Sequence, residues 1–333
     1  MRRALGALLL GCAIVGGGAL LSPACSSSSN SSNPTAEQSC SDLATARCQK
    51  MQLCNPQGLL NVYGDLSTCE SKQSSTCVTN LGLPQTANTP AHTEACATAT
   101  PGMSCSDFDL GNVPVACQPP AGPRDAGSPC AVSAQCLTAY CLIPDTSACG
   151  TCAPAPGVGA SCANNPCGPG LRCDNITLEC VNPVGGGQAC DDSSVCAPGY
   201  TCLGNNGTSP GSCEALATTV GASCRIQDGG TRCDGRLGLY CNVPLGRVCA
   251  MAAEASVSQP CGTIDGGVID CTAGAFCQLA TGSDAGTCIA PVGNSVGCDT
   301  VSGPNCSLPA RCVLSSAGAS GGTCQTTNTS NCN

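Results

Sequence analysis

The chain has 333 residues, of which 36 are cysteine and only 2% aromatic, and it contains no tryptophan. So few large apolar side chains leave no single large core, because they cannot offset the entropy of ordering the chain; cross-links must take over that role. The net charge of −9 comes from scattered acids, with only Lys50 and Lys72 as lysines and no basic stripe, so nucleic-acid binding has no support.

Met1-Arg2-Arg3 is a basic start, and Ala4 to Leu21 is an apolar run broken by Gly11 and by Gly16 to Gly18. Leu21-Ser22-Pro23-Ala24-Cys25 then leads into a segment rich in Ser and Asn. This order predicts a signal peptide over 1–24 rather than a membrane-spanning helix, since glycines interrupt the run and no charge follows Ala24. Cys25 followed by a tether over 25–36 resembles the start of a mature bacterial lipoprotein, although Ser22 stands where such proteins favour Leu. The resemblance implies lipidation at Cys25 and membrane attachment through that lipid. Parity agrees: 35 cysteines run from Cys25 onward, and a lipid on the first leaves an even set to pair. Two other cuts stay open. One is at Leu9-Leu10-Gly11-Cys12, and the other is ordinary cleavage after Ala24, which makes a secreted protein.

Residues 37–118 read as a helical cysteine-rich module. Cys40, Leu43, Ala44, Cys48 and Met51 recur at helical spacing up to Asn55-Pro56. Asp65 is placed to cap a second helix in which Cys69, Gln73 and Cys77 share a face. Thr89-Pro90 starts a third, and Ser104 with Asp107 resembles a capping box for a short fourth. With Cys54, Cys96, Cys105 and Cys117 the eight cysteines predict about four bridges. His92, the one histidine, reads as an exposed first-turn residue rather than a base or ligand, and Asp42, Glu70, Glu94 and Asp107 as solvated acids that no spacing pairs.

From residue 127 to 333 the chain repeats itself, in six units at about 127–157, 158–185, 186–218, 219–253, 257–292 and 293–326. Each has four framework cysteines. They are Cys130, Cys136, Cys141 and Cys152; Cys162, Cys167, Cys173 and Cys180; Cys190, Cys196, Cys202 and Cys213. The later units have Cys224, Cys233, Cys241 and Cys249; Cys261, Cys271, Cys277 and Cys288; Cys298, Cys306, Cys312 and Cys324. Four cysteines allow three pairings, which the sequence leaves open. A Gly or Pro between the second and third cysteine, as in Cys196-Ala-Pro-Gly-Tyr-Thr-Cys202, predicts a turn between antiparallel strands. Tyr140, Tyr200, Tyr240 and Phe276 precede the third cysteine by one or two residues and are expected to form a small core against the bridges, with ligand stacking as the alternative. Pro154 to Gly157 and Pro183 to Gly187 read as hinges. Asp-Gly-Gly at 228–230 and 265–267 reads as turn chemistry, without the spaced carboxylates of a calcium loop. Cys149 and Cys332 stand outside the framework; Cys149-Gly-Thr-Cys152 lacks the βαβ flanks of a redox motif and reads as structural.

The cysteine spacing at 130–152, with Tyr140 before the third framework cysteine, resembles the Dickkopf N-terminal cysteine-rich domain. The later units match it loosely, lacking the extra cysteine. The whole layout is similar to cysteine-rich lipoproteins of predatory or social soil bacteria. The expected fold class is therefore small and disulfide-rich: a short-helix N-terminal module followed by a linear array of β-hairpin/loop repeats. The cysteine density implies an oxidising, exported location. No catalytic set, metal site or cofactor is expected. The expected function is surface binding or adhesion, anchored by the N-terminal lipid and directed at an extracellular protein or glycan. A passive envelope or matrix component and a protease inhibitor are the alternatives.

Overall fold

In the computed structural model the described residues are 33–163, 165–174, 176–191, 195–205, 209–224, 232–327 and 332. The expected signal peptide, Cys25, the tether up to residue 32 and the Asp-Gly-Gly at 228–230 lie outside them.

Helix α1 (Ala36–Cys54) begins where Thr35 Oγ1 accepts the Gln38 N–H at 3.1 Å, and its buried face is Cys40, Leu43, Ala44 and Cys48. A helix absent from the sequence expectation follows at once: α2, Pro56–Tyr63. Pro56 had marked only an end. Asn55 closes α1 with its own N–H on Met51 O, and its side chain then accepts the Gly58 N–H at 2.8 Å, so Pro56 falls in a first turn where a missing N–H costs nothing. Helix α3 (Leu66–Leu81) is capped by Asp65, α4 (Pro90–Ala99) by Thr89 and α5 (Cys105–Asp109) by Ser104, as their residue types predict. Four bridges hold the helices: Cys40–Cys77, Cys48–Cys69, Cys54–Cys105 and Cys96–Cys117.

The Asp65 cap makes acid stability testable. Hydrogen bonds from Ser67 and Thr68 pull its pKa down to about 2. A carboxylate with a depressed folded pKa contributes stability above its unfolded value of about 3.9, and that contribution is lost as pH falls through the folded value. Thermal melts should therefore show stability declining from about pH 4 toward pH 2. Asp65→Asn keeps a cap but does not titrate, and should flatten that part of the profile.

In the units the first cysteine bonds the third and the second bonds the fourth, without exception. The third and fourth cysteines face each other across an antiparallel ladder, as in Cys202↔Cys213, Cys277↔Cys288 and Cys312↔Cys324. In four units a short first-cysteine strand lies on the far side of the fourth-cysteine strand. The paired hairpin thus spans the third and fourth cysteines. The Gly/Pro turn between the second and third leads into it but does not join its strands, contrary to expectation.

The aromatic core also differs from expectation. The buried clusters of units 1, 3, 5 and 6 are framework cysteines with small or aliphatic residues, Ile143, Val184, Ala275 and Ala310 among them, and contain no aromatic ring. The reason is strand geometry. Side chains alternate faces, so Tyr240 and Phe276, one residue before a bridged cysteine of the same strand, project from the other face, while Tyr140 precedes its strand. Tyr200 is 39% exposed at the start of its strand.

The segments between units are not free hinges. Those entering units 1, 3, 4 and 6 form a parallel bridge to that unit's second cysteine, Arg124↔Cys136, Val184↔Cys196, Ala217↔Cys233 and Val292↔Cys306; Ala253–Ala255, entering unit 5, becomes a full strand beside Gly267–Cys271, and before unit 2 Pro156 O accepts the Gly168 N–H at 3.0 Å. Between Gly267 and Ile264 the Asp265-Gly266 pair, both at positive φ, makes the two-residue hairpin turn its composition predicted.

Unit follows unit in chain order, but the path of the array curves back. Cys149 bonds Cys332 across a sequence separation of 183. Leu314 N donates to Asp145 O at 2.9 Å, and Arg311 Nη2 donates to Pro144 O and Ser147 O. Arg124, buried, donates to Gln85 Oε1, Pro129 O and Cys332 O, tying the module, unit 1 and the last described residue together. The helices stand as a hub for this path. Unit 1 reaches them through Gln135 Nε2 to Pro84 O, unit 2 through Gly170 N to Leu110 O and unit 4 through Arg236 to Asp109. Unit 5 does so through Ala273 N to Leu60 O, and unit 6 accepts Lys72 Nζ at Leu308 O.

Candidate functional site

All framework cysteines are consumed in structural bridges, and so are Cys149 and Cys332. Sulfurs of three cysteines cluster in several units, for example Cys130, Cys136 and Cys152, but this follows from two bridges stacking side by side. A disulfide offers no thiolate to a metal. Cys149 and Cys152 belong to different bridges, so the Cys-x-x-Cys spacing carries no dithiol. His92 is half-buried rather than exposed, with Nδ1 2.8 Å from Asn88 Oδ1. The acids were read as unpaired, yet packing of α1 on α4 brings Asp42 beside Glu94. Burial, then the neighbouring Asp42, raise the Glu94 pKa above the usual carboxylate range. Those two residues are far apart in sequence, so no local spacing could show the pair.

The sequence offered no core able to enclose a pocket within a unit. A cleft of about 610 Å³ forms instead where α2 and α3 meet units 5 and 6. Two backbone hydrogen bonds set one wall against the helices, Ala273 N to Leu60 O at 3.0 Å and Gly274 N to Asn61 O at 2.6 Å. Asn305 Nδ2 donates to Gly274 O at 3.2 Å and joins units 5 and 6 across it. The lining is mostly apolar: Val62, Tyr63, Ala275, Phe276, Pro291 and Leu308. Tyr63 is fixed by its hydroxyl, which accepts from Gln73 Nε2 at 2.6 Å, and the Phe276 ring lies where a side chain at Gly303 would stand. At the rim Val62 and Leu308 are exposed.

Four charged residues also line the cleft: Lys72, Asp270, Asp299 and Arg311. The Ser302 and Val301 N–H groups hold Asp299 below the usual carboxylate range, and burial pushes Asp270 upward. Burial lowers the Arg311 guanidinium, with Asp145 opposing. Among the described residues nothing here couples a nucleophile to a base. The cleft has apolar walls with a few placed polar groups, a composition common in ligand pockets.

A second polar junction holds unit 4 to α5. Arg236 pairs with Asp234 and Asp109 at 2.7 Å each, and the Asp234 side chain is 3% exposed. Hydrogen bonding to Asp234, against partial burial, raises the Arg236 pKa further. Because Arg236 remains partly solvated, Arg236→Met should cost about 2 kcal/mol, short of a fully buried pair but above a surface one, by leaving Asp234 uncompensated. Chemical denaturation of the oxidised protein checks this.

Sequence reading missed one residue that recurs. Gly150, Gly211, Gly286 and Gly322 each stand two places before the fourth cysteine, and a Cβ there would overlap the facing strand. The signal was present as Gly-Thr-Cys or Gly-Ser-Cys in four units.

The chain matches no protein-family model, no curated protein and no solved structure. Among the described residues no helix is long and apolar enough to cross a membrane. On the structure itself, this is a very cysteine-rich, exported protein, cross-linked by seventeen disulfides among its described residues.

Proposed function

We propose that the chain is a lipid-anchored binding protein of the cell surface, without catalysis, that engages an extracellular partner through the cleft between α2–α3 and units 5 and 6. The observation that carries the anchored reading is the bridge count. Seventeen bridges use every cysteine from Cys40 onward, so Cys25 meets no free thiol among the described residues. A lone cysteine after small residues and before a Ser/Asn tether then suits lipidation, with 1–24 as its signal peptide. The cleft favours binding over a spacer role, since a passive spacer has no use for an apolar recess with exposed Val62 and Leu308 at its rim.

Two measurements test this reading. Intact mass of native protein from its own membranes, unreduced and alkylated, should show a lipid-modified Cys25 and no alkylated thiol. Alkylated thiols or an unmodified N-terminus would overturn the anchor. A photo-crosslinker at Leu308 should capture an extracellular partner on intact cells, and Val62→Glu should abolish the capture. Crosslinking that Val62→Glu leaves intact would remove the cleft from the reading.

A further inference from the structure

Tyr200, Tyr240 and Phe276 hold the same place in units 3, 4 and 5, one or two residues before the third cysteine, and each lines a recess at a junction between units. Phe276 lines the cleft between units 5 and 6. Tyr240 lines a recess of about 600 Å³ between unit 4, with Val243 and Pro244, and unit 5, with Thr263 and Val268. Tyr200 lines one of about 710 Å³ where units 2, 3 and 4 meet α5.

An exposed cation belongs to each lining: Lys72 with Phe276, Arg232 with Tyr240 and Arg172 with Tyr200. Lys72 Nζ and Arg172 Nη1 donate to main-chain carbonyls, Leu308 O and Cys196 O, each at 3.2 Å. Among the described residues none of the three cations pairs with a carboxylate; the ion pairs are those of Arg236. The acids of these recesses are already engaged. Val301 and Ser302 N–H groups donate to Asp299, Gln57 Nε2 to Asp270, and Arg236 to Asp109 and Asp234, while the Tyr240 recess has no acid in its lining. The chain is acidic overall at −9, yet the cations its recesses present lack counter-charge, so their charge complement is an anion. Each lining also has a neutral hydrogen-bonding side chain, Thr300, Thr263 and Asn55 in turn.

We infer that the three recesses are subsites for one acidic polysaccharide, a polymer of sugars that carry carboxylates. The aromatic ring takes the apolar face of a sugar, the cation its carboxylate, and the neutral side chain its hydroxyls. A repeating polymer fits because the same set of ring, cation and neutral group recurs at successive junctions, 3–4, 4–5 and 5–6. Sugars linked in one chain and seated in several subsites bind far more tightly than any one of them. The inference rests on the reading of the cleft as a binding site for the first subsite alone, and it names the partner class.

Calorimetry of the oxidised full chain with alginate, polygalacturonate and hyaluronan, and with neutral dextran, tests this. At least one acidic polymer should bind and dextran should not, and trisaccharides of that polymer should bind roughly a hundredfold more weakly than the polymer itself. Arg172→Gln and Arg232→Gln, both outside the cleft, should each weaken polymer binding by roughly fivefold, as should Tyr200→Leu. Disulfide mapping establishes that the variants keep native pairing, and the contrast of polymer with trisaccharide in the unaltered protein needs no variant. Binding to none of the acidic polymers would overturn the inference. So would binding that salt abolishes but that Tyr200→Leu and both arginine variants leave unchanged, which is charge attraction without subsites. Binding lost in Val62→Glu alone would overturn the three subsites while keeping the cleft. Polymer binding weakened by Arg172→Gln and Arg232→Gln, with Leu308 crosslinking indifferent to Val62→Glu, would support the outer subsites and remove the cleft.

Discussion

Replacing both Cys149 and Cys332 by serine should leave sixteen bridges intact and still open the molecule. Every other bridge closes a loop within one unit or within the helical module, whereas this one spans 183 residues and joins the first unit to the end of the chain. Even with the framework bridges shortening the path through each unit, the loop is on the order of 100 residues, for which closure is worth about 4.7 kcal/mol. What remains at the junction is noncovalent: Arg124 on the Cys332 carbonyl, Leu314 on Asp145, and Arg311 on the carbonyls of Pro144 and Ser147. The double variant should secrete with native pairing in each unit, but tryptic cleavage after Arg311 should rise by roughly a hundredfold or more, because cleavage follows the open population. Cleavage unchanged from the unaltered protein would mean that the polar contacts alone close the path. The variant should also perturb the cleft, one wall of which belongs to unit 6.

Gly286→Val should be the most damaging single substitution within a unit. A side chain there would overlap the carbonyl of Gln278 on the facing strand, a backbone group that cannot swing aside. Relief requires separating the two strands, which carry Cys277 and Cys288 and thus one end of each framework bridge in unit 5. A cost of at least about 3 kcal/mol follows, at the upper end of overpacking because the obstacle is main chain. Peptide mapping should find scrambled pairing among Cys261, Cys271, Cys277 and Cys288, with the other units native. Leu178 and Arg247 occupy the same position in units 2 and 4, and both take positive φ there. The tight approach can therefore be met by a left-handed backbone instead of glycine, at the strain a non-glycine residue bears in that region. Gly286→Asn, better tolerated at positive φ, should accordingly be milder than valine.

Much of this was legible beforehand because it is local. A helix cap is decided by residues three apart, so Asp65, Thr89 and Ser104 could be read from the chain. Asn55 was missed because one residue ends α1 and starts α2, and Pro56 signals an end as well as a beginning. The aromatic slot was misjudged for another reason. Proximity in sequence to a buried cysteine places a residue on the opposite face of a strand, so Tyr240 and Phe276 could not share the disulfide core. Phe276 lines the cleft instead.

By itself the sequence determined the cross-linked character of the protein, the four-cysteine rhythm of its units, the small helical module and an exported location. These follow from composition and short-range spacing, which need no knowledge of where distant segments go. Tertiary structure alone decided which cysteine meets which, that Cys149 finds Cys332, that the units gather about the helices, and that a cleft opens where α2 and α3 meet units 5 and 6. Each of these depends on segments tens to hundreds of residues apart. Four equivalent sulfurs in a short loop allow three pairings, and only the strand order, with the fourth-cysteine strand between the first and the third, selects one.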